Sequence, residues 1–60
     1  MRLSKIMKEK KITTQQLADI TGIKKRTLEA YRVGRIEPGF KAGLLIAKAL
    51  GVNPYDLIDD

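Results

Sequence analysis

Between Ile12 and Val33 the sequence ITTQQLADITGIKKRTLEAYRV allows few folds. Thr13 suits the N-cap of a helix, and Gln16 then falls at N3, the pairing of a capping box. Ile12 and Leu17 stand at N′ and N4, the two halves of a hydrophobic staple. The helix that starts here is expected to run from Thr14 to about Thr21. Gly22 follows, where a residue with positive φ is wanted. Ile23, Leu28 and Tyr31 then resume an apolar stripe, which predicts a second helix over about 24–32. Ala18 faces inward beside Leu17 and is small enough to let the two helices cross closely.

A helix, a short turn with glycine and a second helix make a helix-turn-helix unit. A plain αα-hairpin in a small bundle would show the same stripes and the same glycine, so charge has to separate the two. Lys24 falls at the N-cap of the second helix, where it cannot accept from the open N–H groups. Ser or Thr there would be better by about 1 kcal/mol. Lys24, Lys25 and Arg26 also crowd positive charge onto the positive end of the helix dipole, at a further small cost each. A solvated lysine-rich surface is the plain alternative. An anionic partner at this helix end accounts better for an arrangement that stability alone would avoid.

Composition points the same way. The chain has 60 residues, net charge +5 and pI near 9.8, which favours polyanions. Residues 1–48 carry all 12 Lys and Arg against four acids, a net of +8, while residues 49–60 carry only Asp56, Asp59 and Asp60, a net of −3. Sixty residues suggest one domain, 1–60, of marginal stability. Cys and His are both absent, which excludes disulfide staples and Cys/His zinc sites and suits a reducing cytoplasm. No run approaches a membrane span of about 20 residues, and the start MRLSK lacks the apolar core of a signal peptide.

Leu3, Ile6 and Met7 predict a first helix over residues 2–10 with a basic outer face of Arg2, Lys5, Lys8 and Lys10. A basic amphipathic helix could also lie on a membrane surface, but these three apolar residues have a folded core to join. Lys10 and Lys11, just before the next helix, are phosphate-contact candidates. Gly34, Pro38 and Gly39 mark a loop after the second helix of the pair. Phe40 to Leu50 is apolar nearly all round, apart from Lys41 and Lys48, and is expected to be a mostly buried scaffold helix. Gly43 within it costs about 1 kcal/mol relative to Ala and could mark a close helix approach. Gly51, Asn53, Pro54 and Asp56 read as a helix stop followed by a capped start. A last short helix with Tyr55, Leu57 and Ile58 is expected there, with Asp59 and Asp60 frayed.

The order Leu17-Ala18, Gly22-Ile23, Leu28, Tyr31, Gly34, Pro38 and Ala47-Lys48-Ala49-Leu50-Gly51-Val52 resembles the lambdoid phage repressor and Cro proteins and the wider Xre-type regulators. The resemblance covers nearly the whole chain. It implies an all-α, compact five-helix, lambda-repressor-like domain that inserts the helix over 24–32 into the major groove of double-stranded DNA. By position in that pattern, Lys24, Lys25, Arg26 and Ala30 would face bases, with Arg26 or Lys25 on guanine and Ala30 on a thymine methyl. Lys10, Lys11, Thr14, Thr27, Arg32 and Arg35 would contact phosphates, and for Thr27 a base contact or a local bond to the helix start is equally open.

Three positions depart from the family pattern: Thr14 replaces a usual Gln, Lys24 a usual Ser or Thr, and Arg32 a common Glu. Arg32 thereby removes an internal salt bridge and adds a cation. The resemblance further implies a cytoplasmic, nucleoid-associated transcriptional regulator, most simply a repressor, of phage or mobile-element origin. Any homodimer would form near Tyr55, Leu57 and Ile58. Neither a cofactor, a metal nor a small-molecule ligand is expected, and catalysis is not. The alternative is a protein-interaction module such as an antitoxin or a partner-anchoring subunit.

Overall fold

The computed structural model describes residues 1–58. Four α-helices follow in order: α1 Leu3–Lys10, α2 Thr14–Thr21, α3 Lys25–Arg32 and α4 Phe40–Leu50. A single 3₁₀ turn, Pro54–Leu57, comes last. The expected fifth helix is therefore not an α-helix. Its start is capped as expected: Asn53 Oδ1 accepts from the Tyr55 N–H at 2.9 Å, and Asp56 Oδ2 accepts from the Asn53 N–H at 3.2 Å. The backbone turns extended at Ile58, so only four residues remain, a length at which 3₁₀ geometry is common. The fraying expected of Asp59 and Asp60 lies outside the described residues.

The capping box of α2 forms as its sequence requires. Thr13 Oγ1 accepts from the Gln16 N–H at 3.1 Å, and Gln16 Oε1 accepts from the Thr13 N–H at 2.9 Å. Gly22 ends α2 at φ +77°, with its N–H on the Ala18 carbonyl at 2.8 Å. The first helix begins one residue later than its apolar stripe suggests, with Arg2 as its N-cap and the Arg2 N–H donating to the Leu57 carbonyl at 3.0 Å. That bond also pins the start of the chain to the 3₁₀ turn.

Leu3, Met7, Leu17, Leu28 and Ile46 form the fully buried centre, with Ile6, Tyr31, Ala47, Leu50 and Leu57 around them. Ile12, Ala18, Ile23 and Val52 pack against its edge. In chains this small each central leucine matters, since truncating one to Ala typically costs 2–5 kcal/mol. The helix α4 packs against α1, α2 and the 3₁₀ turn through buried Ile46, Ala47 and Leu50, with Ala42 and Ala49 partly buried at their edge. It is thus not buried all round. Phe40 is 84% exposed, and Leu44 and Leu45 are also exposed. Nor does Gly43 mark a close approach, because a Cβ there would meet nothing within 4 Å.

Candidate nucleic-acid interface

The helix-turn-helix is built by α2 and α3, and its turn is held by Thr21 as well as by Gly22. Thr21 Oγ1 donates to the Leu17 carbonyl at 2.8 Å and accepts from the Ile23 N–H at 3.1 Å. One hydroxyl thus closes α2 and steers the chain into α3. Sequence reading missed this role, although a Thr directly before the turn glycine was its available signal. Leu28 and Tyr31 on α3 then enter the core and fix which face of α3 remains outside.

On that outer face Lys24, Lys25 and Arg26 are all exposed. Lys24 is the N-cap, with extended backbone and no side-chain cap. The first-turn N–H groups of α3 therefore gain nothing from it, and three cations stand at the positive end of the dipole. Lys10 and Lys11 are exposed where α1 ends, and Arg35 is exposed in the loop after α3. Thr27 is half-buried, and its hydroxyl makes no hydrogen bond within the described residues. The local bond to the helix start, one of the readings open for Thr27, is thus absent there.

Ala30 does not present itself to a base. It is 7% exposed, and the chain beyond α3 turns back so that the Arg35 N–H donates to its carbonyl at 3.0 Å. Thr14 is buried as well, and its hydroxyl is taken by Arg32. A side-chain phosphate contact from Thr14 is excluded in this arrangement. Arg32 is half-buried and turned inward: Nη1 donates to Thr14 Oγ1 at 2.6 Å and Nη2 to Ser4 Oγ at 3.1 Å. Its Nε is sealed from solvent without an acceptor. Leu57 is 4% exposed within the core, so it is no dimer contact, whereas Tyr55 and Ile58 are exposed.

Two recesses mark the surface. A shallow one of about 430 Å³ lies where α1, the start of α2 and α3 meet, and its lining includes Lys8, Thr13, Gln15, Lys25 and Glu29. Sequence reading missed Lys8 here; its place on the outer face of α1 was the signal. The second is an apolar groove of about 680 Å³ lined by Phe40, Gly43, Leu44, Tyr55 and Ile58 among others. Among the described residues, no helix is long and apolar enough to cross a membrane.

A second helix held at a fixed angle by a short turn, with a bare cationic first turn, defines a nucleic-acid-binding module. Comparison with known proteins gives its family. Residues 2–60 match the model of the Cro/C1-type HTH DNA-binding domain, and the chain belongs to that family. The chain is also 39% identical over 51 residues to YqaE, an uncharacterized HTH-type transcriptional regulator of Bacillus subtilis (strain 168). That alignment covers 85% of this chain and 44% of YqaE, so the chain spans less than half the length of this relative. No solved structure matches it.

Proposed function

We propose that the chain is a transcriptional regulator that reads double-stranded DNA by inserting the first turn of α3 into the major groove. Lys24, Lys25 and Arg26, exposed together on an uncapped helix start, carry the proposal. Lys25 and Arg26 supply the base contacts, the Arg26 guanidinium being matched to guanine O6 and N7. Lys24 and Thr27 supply contacts at the groove edge. Lys10, Lys11 and Arg35 hold the backbone on either side, and Lys8 joins them through the recess it shares with Lys25. The whole chain, 1–60, acts as one module in the cytoplasm, and the expected regulatory effect is repression.

The apolar groove favours a protein contact in addition. We assign it to a second copy of the chain, bound through Phe40, Leu44, Tyr55 and Ile58, so that two copies occupy two half-sites. The same groove would serve an antitoxin-like or partner-anchoring role, which is the second reading. Selection from a random duplex pool at roughly 150 mM salt, where nonspecific contacts weaken, decides between them. An enriched motif with two-fold symmetry is expected. Binding that vanishes as salt rises, with no enriched motif, would leave phosphate attraction only and turn the search to a protein partner. On the enriched duplex, Lys25→Ala or Arg26→Ala should each weaken binding by about 1–3 kcal/mol and relax the preference at one base pair.

A further inference from the structure

The helix-turn-helix is joined by the chain at one end only. The turn at Gly22 links the end of α2 to the start of α3, and the opposite ends, Thr14 and Arg32, are 18 positions apart. The Arg32 guanidinium closes that open end. One nitrogen of its fork binds the buried Thr14 hydroxyl on α2, and another binds Ser4 Oγ on α1. Elsewhere among the described residues the side-chain pair Gln15 and Asp19 stays within α2, so these two are the side-chain hydrogen bonds that join helices, beside the apolar packing of the core. Within the same residues Arg32 pairs with hydroxyls and with no carboxylate. Two of its nitrogens are committed to these hydroxyls and the third is sealed from solvent, so swinging out to a phosphate would break both bonds, although Arg32 itself lines the recess between α1, α2 and α3.

We infer that Arg32 is a positioning residue for DNA reading: it latches the far end of α3 to α1 and α2 and does not contact the DNA. The inference rests on the proposal that α3 enters the groove. A planar fork suits the role because it meets two acceptors in a fixed geometry, which an ammonium does not. Leu28 and Tyr31 still anchor α3 in the core without the latch, but its far end is then free to shift by a small tilt about the Gly22 turn. The direction of Lys25 and Arg26 then changes relative to α1, and Arg35 shifts with the loop behind α3. Specific binding needs base and phosphate contacts in register at the same moment, so it weakens. Nonspecific binding uses flexible cations alone and does not.

Arg32→Met keeps the aliphatic stem and removes the fork. The test compares its affinity with the parent on the selected duplex and on random duplex, each across a salt series. The expected result is a loss of about tenfold on the selected duplex, with the random-duplex affinity and both salt slopes unchanged. Arg32→Lys should fail to restore binding, and Thr14→Val should reproduce the loss without adding to Arg32→Met. A salt slope smaller by about 0.9, restored by Arg32→Lys, would make Arg32 a phosphate contact and overturn the inference. Equal losses on both duplexes that track a lowered melting temperature would reduce the latch to stability alone and overturn it too. Should Arg32→Met unfold, Ser4→Ala removes one arm of the latch from an exposed site and carries the same comparison. A parent chain with no site preference would sink the groove reading and this inference with it. The non-additivity of Arg32→Met and Thr14→Val in urea unfolding would survive that failure, so the two are told apart.

Discussion

Lys11 carries the positive φ that glycines supply elsewhere among the described residues, at +57°. It ends α1 in a Schellman arrangement, with the Ile12 N–H on the Met7 carbonyl at 3.0 Å and the Lys11 N–H on the Lys8 carbonyl at 3.2 Å. A lysine in the left-handed region pays about 1 kcal/mol that glycine would not. Lys11→Gly should therefore raise stability by up to about 1 kcal/mol in urea unfolding, less the extra freedom of glycine in the unfolded chain. The same change deletes a proposed phosphate contact, so the slope of log K against log salt should shrink by about 0.9. An unchanged slope would remove Lys11 from the interface. Lys24 makes the same point at the start of α3, where it is exposed and caps nothing. Lys24→Ser should stabilise the fold by about 1 kcal/mol while weakening DNA binding. If both quantities rose together, the cost at this position would not be tied to function.

The helices were legible in the sequence where local chemistry decides them. Thr13, Gln16, Gly22, Asn53 and Gly51 mark their ends through caps that act within five residues, and the structure uses each as expected. What the sequence did not reveal depends on residues far apart in it. The burial of Ala30 is set by tertiary packing and not by its neighbours in sequence, and that Arg32 would turn inward follows from Thr14 and Ser4 lying across the fold. The apolar content of α4 suggested burial, but a chain of this length has too few elements to cover every face of an 11-residue helix. Gly43 belongs to this element. It has helical backbone and open space around it, so nothing in the fold needs its missing side chain. Gly43→Ala should add about 1 kcal/mol, which corresponds to a melting temperature higher by about 4–8 °C in a domain of this size. No gain would show that the site is covered in solution, since Gly43 lines the apolar groove.

At the scale of the molecule, shape and charge separate two surfaces. The body measures 27 × 22 × 19 Å, shorter than the roughly 34 Å between half-sites on successive turns of DNA. One copy is thus sized for one half-site, and the proposed dimer places a second copy beside it. The +8 charge of residues 1–48 opposes close approach of two copies, and the last 12 residues, which lack Lys and Arg, are where that repulsion is least. Tyr55 and Ile58 lie in that segment, and Phe40 and Leu44 meet them across the groove. Phe40 and Tyr55 are 84% and 79% exposed, so with their two aliphatic neighbours they offer roughly 500 Å² per copy. Two such patches, fully paired in the proposed dimer, would bury about 1,000 Å², the lower edge of what a specific interface needs. A contact this small is weak between free copies and becomes effective when adjacent half-sites hold two copies together. Sedimentation at micromolar concentration should accordingly show mostly monomer without DNA and two copies per symmetric duplex. Phe40→Ser changes an exposed side chain and should leave the fold and the affinity for a single half-site intact. It should lower the cooperativity on the symmetric duplex by about tenfold. Monomer on the symmetric duplex at all concentrations would remove the dimer, and an equal loss on the single half-site would place Phe40 against DNA instead.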